Sequence, residues 1–73
     1  MSYLSDIEFI MNNIYFDIDF SDEIATKEHF SYLVDNLNRD NIISDRTSQN
    51  IYLSMNKKTK NAFIVCGSYK IRI

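Results

Sequence analysis

Among the side chains that could do chemistry, this chain offers one thiol, Cys66, and one imidazole, His29. A thiolate nucleophile with an imidazole base is the least that Cys–His catalysis needs. The surrounding pattern argues against that use. Alternation places Cys66 on the apolar face of a strand and His29 near the start of a helix, so a buried structural thiol and a solvated imidazole are expected. Gly67 is the only glycine, which excludes a glycine-rich phosphate loop, and no HExxH, GxSxG or kinase-like signature occurs. The densest carboxylate group is Asp17, Asp19, Asp22 and Glu23. Carboxylates suit Mg²⁺ and Ca²⁺, yet the glycine and terminal glutamate of a calcium loop are absent at the required spacing. The chain is therefore expected to be no enzyme and to hold neither metal nor other cofactor.

Charge is more informative, because it is sorted along the chain. Residues 1–45 hold all ten acids against Lys27 and Arg39, a net of −8, and residues 46–73 hold six bases and no acid, a net of +6. The formal total of −2 conceals two opposite fields. Such fields favour binding over catalysis. The leading expectation is a non-enzymatic protein that engages, and inhibits or modulates, a larger partner that is basic or binds nucleic acid. Tyr15, Asp17, Asp19, Asp22 and Glu23 are its expected contacts, since aligned carboxylates imitate a run of phosphates. The composition, rich in Asn, Ile and Lys, is one found among bacteriophage accessory and anti-defence proteins, an association of composition only. The alternative is a small nucleic-acid-binding module using Tyr52, Lys57, Lys58, Lys60, Phe63, Lys70 and Arg72, where cations stand beside aromatic rings. Nucleic acid is the less favoured ligand, because the acidic half would repel its backbone.

These residues need elements to hold them. Phe30, Leu33, Val34 and Leu37 recur at spacings of three and four, which predicts a helix over residues 26–38 with Thr26 as its cap. The C-terminal part reads as three strands. Ile51, Leu53 and Met55 alternate with Tyr52 and Ser54. Ala62, Ile64 and Cys66 alternate with Phe63 and Val65. Tyr69, Ile71 and Ile73 alternate with Lys70 and Arg72. A type II′ turn at Gly67-Ser68 pairs Cys66 with Tyr69 and Ile64 with Ile71. A loop at 56–61, holding Lys57, Lys58 and Lys60, pairs Met55 with Ala62 and Leu53 with Ile64. Earlier, Ile14, Phe16, Ile18 and Phe20 alternate with acids and predict a strand over 14–20 with an acidic outer face. Ile42-Ile43 suggests a short strand, and Asp45-Arg46-Thr47-Ser48 a turn. For residues 5–12 a helix opened by a capping box at Ser5-Asp6-Ile7-Glu8 is favoured over a strand.

The expected fold is α+β: a small antiparallel sheet of three to five strands packed against one main helix, with a second short N-terminal helix as an option, in a single compact domain over 1–73. The outer sheet face, with Tyr52, Phe63 and Val65, is more apolar than a free face needs, so a homodimer or other partner is expected to cover it. A lone cysteine permits no internal disulfide and suits a reducing, cytoplasmic compartment. The first residues lack the basic start and apolar core of a signal peptide, and no apolar run reaches membrane-spanning length.

Overall fold

The computed structural model describes residues 3–14 and 16–73. Its order is α1 (Tyr3–Asn13), α2 (Glu23–Arg39), α3 (Asp45–Asn50), β1 (Ile51–Asn56), β2 (Asn61–Cys66) and β3 (Tyr69–Arg72). The fold is α+β, with an antiparallel sheet in the order β1-β2-β3. Among the described residues it has three helices rather than one or two, and three strands.

The sheet registers follow from the period-two pattern. Leu53 faces Ile64, Met55 faces Ala62, Ile64 faces Ile71 and Cys66 faces Tyr69, as the alternation predicts. Gly67 has φ 59 and Ser68 does not share the positive value, which is the type II′ signature. The β1–β2 loop is shorter than expected, because Asn56 and Asn61 also pair. Asn56 Oδ1 accepts the N–H groups of Lys58 and Thr59, which folds the turn back on itself.

One cluster joins Ile7 and Ile10 of α1, Phe30, Val34 and Leu37 of α2, the loop residue Ile43, and Leu53, Ala62, Ile64 and Cys66 of the sheet. The helices therefore cover a single sheet face. Phe30, Val34 and Leu37 of the α2 stripe pack into the core as their spacing predicts, with Leu33 half-buried outside it, but the cap is Asp22, whose side chain accepts the Ala25 N–H at 3.2 Å. Thr26 lies inside the helix and is buried. Its hydroxyl reaches the carbonyls of Asp19 and Asp22 and accepts the Asp19 N–H. At the other end Ile42 N–H bonds Leu37 O at 2.9 Å and Asn41 N–H bonds Asn38 O at 3.0 Å, with Asn41 at φ 60. This is a Schellman stop, with asparagine in the left-handed position usually given to glycine.

Four further expectations fail. The described residues of 14–20 form no strand. Ile14, Phe16, Ile18 and Phe20 are half-buried against the core, and Phe16 meets the Phe30 ring at 5.4 Å. Alternating burial produced the pattern without a partner strand. Ile42-Ile43 is a bend, with Ile43 buried in the core. Residues 45–50 are helical rather than a turn, because Ser44 caps them by accepting the Thr47 N–H at 3.1 Å. Ser5 opens no capping box, since α1 already includes Tyr3.

The inward face of α1 also carries Asp6, 2% exposed. Its Oδ2 accepts from the Ser44 N–H and Ser44 Oγ, each at 3.2 Å, and from Thr47 Oγ1. One carboxylate thus ties α1 to the start of α3, across 38 to 41 residues of chain. A buried charge survives only when so satisfied. Next to it, Arg46 Nε donates to Tyr3 Oη at 3.0 Å, and Tyr3 lies over Gly67.

Two stability measurements check this account. Asp6→Ala orphans buried donors, so chemical denaturation is expected to show a loss of about 2–4 kcal/mol, while Asp17→Ala stays within about 0.5 kcal/mol. Equal effects would contradict the assigned role of Asp6. Gly67→Ala is expected to cost at least about 1–2 kcal/mol. Its positive φ disfavours any Cβ, and that Cβ would stand 3.0 Å from Tyr3 Cε2. A calorimetric melting point unchanged from wild type would count against the turn geometry.

Candidate functional site

The two groups best suited to nucleophilic chemistry are not brought together. Cys66 is fully buried on the inner face of β2, its Sγ 3.9 Å from Thr47 O, whereas His29 is exposed on α2. Burial pushes the Cys66 thiol above its ordinary value, the nearby Asp6 charge pushes it the same way, and Arg46 partly opposes them. A thiol held neutral and away from solvent is a poor nucleophile. Among the described residues no three of His, Cys, Asp and Glu are grouped to hold a metal ion.

The expected acidic contacts stand around the start of α2, not along a strand face. Tyr15 lies outside the described residues. Asp17 is exposed and bonded to none of the described residues. Asp19 Oδ1 accepts from Ser21 Oγ at 2.6 Å and Ser21 N–H at 2.9 Å. The Ser21 hydroxyl and then the Ser21 amide hold the Asp19 carboxyl below its ordinary value, with desolvation opposing them and the Asp22 amide adding a lesser pull in their direction. A depressed carboxylate stabilises the fold above its unfolded value, and that contribution is lost as pH falls through the folded one. Asp22 caps α2, and Glu23 pairs with Lys27 at 3.5 Å. Three of the four carboxylates thus have local structural work, which sequence reading could not separate from a binding role. The α2 surface adds Glu28 and Asp35, both exposed.

The alternative set is assembled more closely. Tyr52, Val65 and Lys70 make one row across the outer sheet face, and Ser54, Phe63 and Arg72 make the next. No described element covers this face. Tyr52 is 57% exposed. Lys70 Nζ sits 4.6 Å from the Phe63 ring centre, and Arg72 Nη2 donates to Asn61 Oδ1 at 2.7 Å. Lys57, Lys58 and Lys60 occupy the β1–β2 turn, Lys60 in a left-handed conformation with its ammonium 5.9 Å from the Phe20 ring centre.

The charge sorting survives folding as a separation of layers. Residues 3–44, which build the helical side apart from α3, carry nine acids against Lys27 and Arg39, a net of −7. All of these acids except Asp6 reach the surface. Residues 51–73, the sheet, carry five bases and no acid. Asp45 and Arg46 cancel within α3.

No described helix is long and apolar enough to cross a membrane. Compared with protein-family models, curated proteins and solved structures, the chain matches none.

The thiol supplies a test of the inner face. Native protein at neutral pH is expected to react with a chromogenic disulfide reagent only at the rate of opening, and at once in denaturant. A raised thiol value means that its contribution is complete below the unfolded value and is lost as pH rises through the folded one. Wild type should therefore lose more stability than Cys66→Ala as pH climbs past 9.0, the ordinary thiol value. Rapid native labelling, or identical pH profiles, would contradict a buried neutral thiol.

Proposed function

We propose that this chain is a non-enzymatic binding protein that engages a larger, basic partner through the acidic surface of its helical side. The separation of charge between the two layers is the observation that supports this reading. The partner of matching chemistry is a nucleic-acid-binding protein, whose basic site would accept carboxylates in place of phosphates. Blocking that site would inhibit or modulate it. Charge would steer the encounter, and exposed apolar side chains such as Tyr32, 63% exposed, would hold the complex. Asp17, Glu28 and the edges of Asp22 and Glu23 are the contacts proposed, while Asp19 keeps its place in the turn before α2.

A second reading rests on one specific observation, the shared uncovered face of Tyr52, Phe63, Lys70 and Arg72. On it the chain would bind single-stranded nucleic acid by stacking on Tyr52 and pairing phosphates with the cations. The acidic layer is a weaker objection than the sequence suggests. The molecule is 20 Å across its shortest axis, and fields are largely screened beyond about 8 Å at physiological salt.

Two variants of the full chain separate the readings. Asp17→Lys with Glu28→Lys should abolish capture of a basic protein from host lysate, or slow its association about tenfold and flatten the salt dependence. Lys70→Glu with Arg72→Glu should leave capture intact. The opposite pattern, with fluorescence anisotropy showing salt-sensitive binding of single-stranded oligonucleotides lost in the second variant, would replace the first reading with the second.

A further inference from the structure

The two edges of the sheet are built differently. β3 is four residues long and carries Lys70 and Arg72, the short charged edge by which proteins discourage strand pairing. β1 is six residues, Ile-Tyr-Leu-Ser-Met-Asn, with no charge and no proline, and it pairs with β2 without a bulge from Ile51 to Asn56. Nothing in its sequence protects it. Ile73 N–H bonds Ala62 O at 3.0 Å, which fixes the alternation of the ladder. Ala62, Ile64 and Cys66 direct their backbone groups to β3, so Asn61, Phe63 and Val65 direct theirs to β1. The carbonyls of Ile51, Leu53 and Met55 and the N–H groups of Leu53 and Met55 therefore point outward, while the Ile51 N–H is already bonded to Thr47 O.

Along that edge runs a cleft of ≈ 220 Å³ between β1 and α2. Phe30, Val34 and Leu53 form its floor, and Lys27, Ser31 and Asp35 line its helical wall. Those three residues follow one another at four-residue spacing on one flank of α2. One turn before Lys27 on that flank lies Ile24, 74% exposed. The pattern is self-complementary: a cation and an anion stand equally far on either side of a small residue. A two-fold axis near Ser31 sets Lys27 against Asp35 of the partner subunit, and does so twice. The same axis passed by Leu53 gives antiparallel β1 strands with Leu53 opposite its own copy, joined by about four backbone hydrogen bonds.

We propose that the β1 edge and the Lys27–Asp35 flank of α2 form the interface of a two-fold homodimer with one continuous sheet. The occupant is a second copy because the flank matches itself in charge and the free backbone groups match themselves in register. A stable pair needs about 800 Å² from each partner. That is about one-sixth of this chain's 4931 Å², which one side of a two-layer domain can present. The interface borders the acidic surface proposed for function, since Lys27 already bridges Glu23 at 3.5 Å, and Tyr52 of β1 lines the same cleft.

Sedimentation and light scattering of the full chain over a concentration series are expected to show a dimer. Ser31→Arg, at an exposed helical site, places two cations at the axis and should give a monomer with unchanged circular dichroism. Lys27→Asp and Asp35→Lys should each weaken the dimer about tenfold or more, and the two together should restore it. In a mixture of labelled and unlabelled chains, NMR should show contact between the Tyr52 and Ser54 α-protons of different copies. A chain that stays monomeric to millimolar concentration overturns the proposal. So does a dimer that survives Ser31→Arg, or one lost only on substitution of Phe63 on the outer sheet face.

Discussion

The core of this structure lies on one face of its sheet. That one-sidedness governs the rest. Three helices cover one face of a three-stranded sheet, and no described element covers the other. The covered face collects Leu53, Ala62, Ile64 and Cys66, and the uncovered one is left with Tyr52, Phe63, Lys70 and Arg72. Because the helices come first in the chain and the strands last, charge sorted along the sequence becomes charge sorted by layer. A sequence that interleaved strands and helices would have mixed the two fields.

The one-sided core also explains why a carboxylate is buried. α1 meets α3 at its N-terminal end, where Asp6 reaches Ser44 and Thr47. Apolar contact alone leaves the α3 amides there without partners. Asp6 supplies an acceptor, Ser44 and Thr47 supply hydroxyls, and no buried side-chain polar atom among the described residues is left unpaired. Removing one member leaves the others buried and unsatisfied, which is why such groups matter more than their net contribution to stability suggests.

The strands were legible because period-two alternation and a glycine turn constrain each other. A slip of one residue would move Leu53 and Ile64 to the solvent face. The α2 stripe was legible for a similar reason. The segment 14–20 misled because alternating burial does not require a ladder. Phe16 and Phe20 reach the core and the β1–β2 turn while the backbone between them bonds to no strand. α3 was illegible because it buries a single residue, Thr47, and a six-residue polar helix has no stripe to detect. Asp6 resembled any acidic helix residue until its partner, 38 residues away, was in place. Among the candidate contacts, alternation correctly placed Tyr52, Phe63, Lys70 and Arg72 on one face. The acidic group was harder, since a carboxylate that caps a helix and one that meets a partner look alike in sequence.

An edge and a face place different demands on a partner. A face is read by side chains and tolerates many ligands, whereas an edge is read by the backbone and tolerates only a strand in register. Two copies joined along β1 would bring two acidic layers side by side, and that repulsion has to be met locally. Lys27 and Asp35 meet it within the interface itself, inside the screening distance, where opposite charges act most strongly. Joined in this way, each surface is presented twice at fixed spacing, so even a weak contact with a repetitive or two-fold partner becomes a tight one through effective concentration. For a domain too small to build a large binding site of its own, assembly along the edge enlarges the site without lengthening the chain.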